Sequence, residues 1–362
     1  MLILGIESSC DETAAAVVEN GVHIRSNVIA SQVALHRKYG GVVPELAARE
    51  HVMSIGPTVR QACEEAGARY GDFDAIAVTQ GPGLVGSLLV GISYAKAMSM
   101  SMGTPLVAVN HIEGHIYAAF MERLANPLQE SGTPALPALA LVVSGGHTSL
   151  FLVERHPSGT GFQYQLIGRT RDDAAGEAYD KVAKLLGLGY PGGPVIDRLA
   201  PFGNPKAVPF TKTKISDRSL DFSFSGIKTA ALRYVQKNNI RPLDPRVHHD
   251  EKDVPPIMVD LVASFQRTVV EILVRSLQRG MLEYRPESIL LSGGVAANSE
   301  LRSAVGNFCA EHKLEAYIPP PYLTTDNAAM ISAAGHDHFL RQELADLDLN
   351  AEASLQLAKK IQ

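Results

Sequence analysis

Apolar residues in this chain fall into short continuous runs separated by longer stretches of mixed character. Leu2–Glu7, Ala75–Thr79, Leu106–Val109, Ala138–Val143 and Ser288–Leu291 have the length and β-branched content of buried strands. Pro44–Ala66, Leu84–Met102, Ala174–Leu186, a long stretch ending near Tyr284 and a segment after Gly294 have helical length. Strands alternating with helices predict an α/β layer fold. The opening unit is a strand, a polar turn Ser8–Thr13, a returning strand Ala14–Val18 and an Asn20-Gly21 hairpin turn. It recurs as Ala138–Val143, the small polar turn Ser144–Thr148 and Leu150–Val153, which predicts two related halves facing one cleft. A final helix from Asp326 is expected to pack back on the first half. The proline-rich stretch Asn126–Pro137 is the expected boundary between halves. The interval Pro201–Pro256 is polar and proline-punctuated, and within it Arg241–Asp253 reads as an exposed loop.

Composition adds limits to this picture. A chain of 362 residues exceeds one typical core, so two domains are expected. Hydrophobic residues make up 46% and charged residues 20%, the balance of an ordinary globular protein. A formal charge of -5 argues against a surface coated in nucleic acid, while leaving room for a local basic patch. Cys10, Cys63 and Cys309 are odd in number and lack metal-binding spacing, which predicts reduced thiols in the cytoplasm. The first residues lack the basic region and long apolar stretch of a signal peptide, and no uncharged apolar run reaches the ~20 residues that span a bilayer.

Chemistry concentrates at a few places. His111 and His115 are four residues apart just after an apolar strand, so on a helix both imidazoles project from one face and can share a metal ion. A merely polar helix face is the ordinary alternative. The order His-Ile-Glu-Gly-His puts Glu113 two residues from each histidine and therefore away from them, unlike the His-Glu-x-x-His of zinc peptidases. Asp326 closes a proline-rich loop before a helix; it reads either as a helix cap or as a third ligand that leaves one coordination position open. Glycine-rich turns follow three strands, at Gly81-Pro82-Gly83, Ser144-Gly145-Gly146 and Ser292-Gly293-Gly294, and bring backbone N–H groups close to a phosphate or sugar. No P-loop or GxGxxG pattern is present. Asn298 is a candidate donor to a base or ribose as well as a candidate cap. Asp180 and Asp197 flank Tyr190-Pro191-Gly192-Gly193-Pro194 and are candidates for ribose hydroxyls, or simply surface acids.

The segments ESSCDET, KAMSMSMGTPLVAVNHIEGHI, LVVSGGHT, DDAAGEAYDKVAKLLGLGYPGGP, FSFSGIKTA, LLSGGVAANSELR and TTDNAAM together resemble the tRNA N6-adenosine threonylcarbamoyltransferase family, in one order from about residue 1 to residue 340. The resemblance implies the ASKHA fold of actin, sugar kinases and Hsp70: an N-terminal domain 1–134, joined by a C-terminal helix over 327–362, and a domain 135–326 with a helical insertion around 195–285. It implies transfer of threonylcarbamoyl from threonylcarbamoyl-AMP to the exocyclic amine of the adenosine next to the anticodon in ANN-decoding tRNAs, releasing AMP. By the same resemblance His111, His115 and Asp326 match metal ligands, for iron (Fe2+) first and zinc (Zn2+) second. Val142, Val143, Ser144, Gly145, Gly146, Asp180, Gly193, Asp197 and Asn298 match substrate and nucleotide contacts. Archaeal and eukaryotic members place a tyrosine on the metal two residues before the turn serine; this chain has Val142 there, which cannot ligate and implies a more open metal, as in bacterial members.

A donor already activated as a mixed anhydride needs positioning and electrophilic stabilisation more than a nucleophile. Asp11 or Glu12 is the candidate to orient or deprotonate the tRNA amine, with an ordinary turn role as the alternative. Bacterial relatives work with a shorter ASKHA paralogue and a small ATPase, which are therefore the expected protein partners; no membrane is expected. Lys206, Lys212, Lys214 and Lys228 are candidates for a tRNA patch. The competing readings are a magnesium-dependent kinase or ATPase of the same fold, a metallopeptidase, and a non-catalytic nucleotide-binding subunit, which the histidine pair argues against.

Overall fold

The computed structural model describes residues 1–121, 133–211, 219–247 and 249–359. The expected boundary at Asn126–Pro137 falls largely outside these residues, as do Lys212 and Lys214.

Strand β1 (Leu2–Glu7) pairs antiparallel with β2 (Glu12–Glu19), which pairs antiparallel with β3 (His23–Ser31). The β2–β3 turn places Asn20 at φ 53° and Gly21 at φ 72°, the two left-handed positions of a tight hairpin. On the other side of β1, strands β4 (Ala75–Gly81) and β5 (Leu106–Asn110) add in parallel. The second sheet repeats this plan with β6 (Ala138–Val143), β7 (Thr148–Arg155), β8 (Phe162–Arg169), β9 (Ser288–Ser292) and β10 (Glu315–Tyr317). Its β6–β7 and β7–β8 pairs are antiparallel and its β6–β9 and β9–β10 pairs parallel. The orders β3-β2-β1-β4-β5 and β8-β7-β6-β9-β10 are therefore the same topology twice, as the repeated strand-turn-strand pattern predicts.

The described helices are α1 (Val33–Arg37), α2 (Pro44–Ala66), α3 (Val85–Met102), α4 (His111–Ala118), α5 (Ala175–Leu186), α6 (Gly192–Leu199), α7 (Ser225–Lys237), α8 (Pro256–Tyr284), α9 (Ser299–His312) and α10 (Ala328–Leu340). Side chains alternate across each strand, so every central strand feeds two cores. From β1, Leu4 and Ile6 pack with Ile55, Val59, Leu88 and Ile92 of α2 and α3. Leu139, Leu141 and Val143 of β6 join Tyr179 and Val182 of α5 and Phe265 and Leu273 of α8. The inward residues, among them Ile3 of β1 and Ala138, Ala140 and Val142 of β6, share one core with Ile112 and Ile116 of α4 and Met330 and Ile331 of α10. Helices α4 and α10 are thus clasped between the two sheets. Contact there is close: a methyl group on Gly5 would overlap Ser332 Oγ and the Ala328 carbonyl, and one on Gly335 would lie 2.5 Å from Ala77 Cβ.

One sequence expectation is filled in and one is corrected. The interval Pro201–Pro256 contains a full helix, α7, whose Ile227, Ala231 and Val235 recur every four residues and are buried. Polar residues on its exposed face mask that stripe. The C-terminal helix expected over 327–362 ends at Leu340. Beyond it a non-helical strap returns to the first sheet, where Ala345 N donates to Leu106 O (2.8 Å), Glu352 N to Gln80 O (3.0 Å) and Gly83 N to Ala353 O (3.2 Å).

Candidate active site

Helix α4 starts at the carboxyl end of β5, where Asn110 caps it by accepting from Ile112 N (2.9 Å). The cap fixes His111 and His115 on consecutive turns, with ring centroids 4.7 Å apart. Asp326 arrives from the loop before α10, whose own cap is Asn327, accepting from Met330 N (3.1 Å). Asp326 Oδ1 lies 3.5 Å from His111 Nε2 and 3.2 Å from His115 Nε2. Two ligands about 2 Å from one tetrahedral ion stand roughly 3.3 Å apart, so these spacings fit a shared coordination sphere.

The buried atoms support that fit. Both ring nitrogens of His115 are buried without a hydrogen-bond partner, since the 3.2 Å approach of Asp326 lies off the direction of a hydrogen bond. His111 is oriented from behind: its Nδ1 bonds Glu7 Oε2 (2.9 Å) and Ser9 Oγ (3.1 Å). With Nδ1 bonded to a carboxylate, Nε2 is the nitrogen turned toward Asp326. Glu7 is wholly buried at the end of β1 and also accepts from Thr79 Oγ1 (2.8 Å) and Ser9 N. Burial acts to raise its carboxyl, but attraction and hydrogen bonding from His111 outweigh this and hold it below the usual range. Burial acts to lower His111, and the nearby Asp326 and Glu7 carboxylates overcome it, raising the imidazole to about 9. His115 is lowered by burial, with repulsion from His111 adding to it. Asp326 is held below the ordinary aspartate range, because attraction to both histidines exceeds the penalty of burial.

His111 and Asp326 line a cleft of about 700 Å³, whose walls include Ser9, Asp11, Glu12, Ser144, Gly145, Gly146 and His147, while His115 is buried against them. A second chamber of about 430 Å³ adjoins it, sharing Asp11, Glu12, Gly145, Asp180 and Tyr190, and continues past Gly193, Asp197 and Asn298. Gly145, Gly146, Gly193 and Gly294 present bare backbone to open space. Asp180 Oδ1 accepts from Gly192 N (2.7 Å), and burial raises its carboxyl to about 6. Asp197 accepts from Ser299 N (3.0 Å) and Ser299 Oγ (2.8 Å) at the start of α9. Asn298 caps α9 through Leu301 N (2.9 Å) and donates to Gln266 (2.7 Å). The capping alternative for Asn298 is therefore realised, at a position that also lines the chamber. Burial, then Asp11 and Asp326, push the Glu12 carboxyl up to about 9, whereas burial and repulsion from His111 and His115 lower His147 to about 4.

The structure brings together His111, Asp326, Asp11, Glu12, Ser144, Gly145, Gly146, Asp180, Gly193, Asp197 and Asn298 around the two chambers, with His115 buried beside Asp326. Val142 and Val143 are the correction: both are wholly buried in β6, one facing each core, and neither lines a chamber. They set the turn from beneath. Among the lysines considered for RNA, Lys206 is exposed on the segment after α6, and Lys228 is paired with Asp173 (2.7 Å). Sequence reasoning passed over Glu7, Ser9, Thr79 and His147. A charged residue ending the apolar run Leu2–Ile6 was the available signal for Glu7, since a fully buried strand rarely carries an unpartnered carboxylate.

Comparison with known proteins follows the same lines. Residues 23–333 match the family model for TsaD, tRNA N6-adenosine threonylcarbamoyltransferase. A curated protein of that name from Koribacter versatilis is 51% identical, covering 98% of this chain and 99% of its own length. Its namesake from Moorella thermoacetica is 50% identical, covering 98% and 97%. Among solved structures, HypF from T. kodakarensis superposes with a TM-score of 0.55 at 13% identity, over 96% of this chain and 48% of that protein. That likeness concerns the fold, the doubled α/β plan of ASKHA proteins.

Proposed function

Since the chain belongs to the tRNA N6-adenosine threonylcarbamoyltransferase family, we propose how its cleft transfers a threonylcarbamoyl group to the exocyclic amine of a tRNA adenosine. The donor is threonylcarbamoyl-AMP and the acceptor is the adenosine next to the anticodon of ANN-decoding tRNAs. His111, His115 and Asp326 hold one divalent metal, iron by preference and zinc as the alternative. The observation that carries this reading is the convergence of two buried imidazole nitrogens on one carboxylate oxygen beside a glycine turn, with Glu7 orienting the first imidazole. Bound there, the metal supplies Lewis-acid polarisation of the carbamoyl carbonyl.

The protein groups do the rest. Backbone at Gly145 and Gly146, with Asp180, Gly193, Asp197 and Asn298 in the adjoining chamber, seats the adenylate. Val142 and Val143 act only through the backbone they fix. The acceptor amine approaches the carbamoyl carbon from the Asp11 and Glu12 side of the cleft. A C–N bond forms, the bond between that carbon and the phosphate oxygen breaks, and AMP leaves as the anion. With its carboxyl pushed up to about 9 by burial and by the neighbouring Asp11, Glu12 can donate a hydrogen bond while Asp11 accepts the amine proton. The N-terminal domain comprises 1–134 together with 327–362, and 135–326 forms the other.

The protein partners are a shorter ASKHA paralogue and a small ATPase. Exposed Val52 and Met53 on α2 and Val85 and Leu89 on α3 favour a protein contact on that helix pair. Among the described residues no helix is long and apolar enough to cross a membrane, which accords with a site of action in the cytoplasm.

The test combines the chain with its two partners, unmodified tRNA and threonylcarbamoyl-AMP formed in situ, assaying threonylcarbamoyladenosine in the tRNA. Wild type is expected to form product and a folded His111→Ala, His115→Ala variant none. Product from both would discard the metal role, and none from metal-loaded wild type would overturn the reading.

A further inference from the structure

The loop between α1 and α2 is anchored at its foot and open at its tip. Gln32 Nε2 donates to Ala47 O (3.4 Å), its Oε1 bonds His36 Nε2 (3.1 Å), and His36 Nδ1 accepts from Val43 N (3.3 Å). Gln32 and His36 are buried, so these bonds fix both ends of the segment. Between them the chain turns through Gly40 (φ 68°) and Gly41 (φ 154°), and Arg37, Lys38 and Tyr39 stand in solvent. Tyr39 is 48% exposed, with Lys38 Nζ 5.1 Å from its ring centroid.

This arm forms one lip of the 700 Å³ cleft, through Gly40, Gly41 and Val42, and Lys181 and Lys184 of α5 form the facing lip. Lys184 Nζ would be 3.7 Å from a methyl group on Gly40. Lys181 is neutralised by Asp173 and Glu177, both at 2.7 Å. Arg37, Lys38 and Lys184 have no carboxylate partner among the described residues. In a chain of net charge -5, three uncompensated cations and an exposed aromatic ring therefore gather at the mouth of the reaction cleft.

An adenosine amine reaches a cleft of this depth only when its base has left the stack, so the RNA at the mouth must be single-stranded. Single-stranded RNA is held by cations on its phosphates and by aromatic rings against its bases. We propose that Arg37, Lys38, Tyr39 and Lys184 form the docking surface for the unpaired tRNA strand flanking the target adenosine. The cations take its phosphates and Tyr39 stacks on a neighbouring base. This deepens the tRNA reading above and rests on it.

The test measures binding of a fluorescent anticodon stem-loop RNA to the full chain across a salt series, and tRNA kinetics in the complete enzyme system. Arg37→Gln, Lys38→Gln and Lys184→Gln combined should lower the slope of log affinity against log salt by about 2, at roughly 0.7 per phosphate contact. Tyr39→Ala should weaken binding roughly 5- to 140-fold and leave that slope unchanged. Both variants should raise KM for tRNA and keep kcat at saturating tRNA. A Lys237→Gln control, at an exposed lysine ending α7, should match wild type. Active variants with wild-type slope, affinity and KM would overturn the docking surface alone, as would equal losses in the Lys237→Gln control. Wild type that forms no threonylcarbamoyladenosine would overturn the functional reading and this surface with it.

Discussion

Glu7 has no exposed surface, yet it accepts hydrogen bonds from Thr79, Ser9 and His111. A carboxylate in that setting does two things: it selects the His111 tautomer that leaves Nε2 free, and it increases the electron density on that nitrogen. Glu7→Gln keeps the shape and removes the charge. Metal affinity should fall about 10- to 100-fold, as losses of such outer partners usually do. Chelator competition on the purified chain would measure this beside a thermal melt, and unchanged affinity in a folded variant would reduce Glu7 to a packing role. At this scale the sequence was partly legible. The four-residue spacing of His111 and His115 follows from helix geometry, whereas Glu7 is 104 positions from His111 and Asp326 is far along the chain from both. No local pattern links residues so separated.

The elements place those residues through close approaches. Helix α10 lies directly on β1 at Gly5 and on β4 at Gly335, and its first residues follow Asp326. Because the interior is close-packed, added volume at Gly5 must move the helix. Gly5→Ala should therefore cost about 1–3 kcal/mol and also weaken metal binding by displacing Asp326. Denaturant unfolding and metal titration on the same variant would show both; a stability loss with full metal affinity would mean that the loop before α10 adjusts independently. Element types were readable where one residue class dominates, as in the buried strands and in Pro44–Ala66, whose bounds are those of α2. Helix α7 was expected only through the family resemblance, because its buried stripe of Ile227, Ala231 and Val235 is narrow and most of its other residues are polar.

At the scale of the molecule, the strap after α10 ties the chain end to the cleft. Its hydrogen bonds hold the loop 80–83, Gly81 leaves no room for a side chain against the Glu352 carbonyl, and Leu84 N donates to Ser9 O (2.8 Å), two residues from Asp11. Removing residues 341–362 should expose that loop: amide hydrogens at 80–84 should exchange faster, and activity should fall while α4 stays protected. Unchanged exchange at 80–84 would show that the loop holds itself. The sequence by itself determined the α/β layering, the doubling of strand-turn-strand and the pairing of the histidines, because each depends on neighbours within a turn or a hairpin. Only the tertiary structure decided that Val142 and Val143 turn away from the cleft, that Glu7 stands behind His111, and that the strap closes on Gly81. Those outcomes depend on which faces two sheets bury against each other, and on contacts between residues that the chain itself keeps far apart.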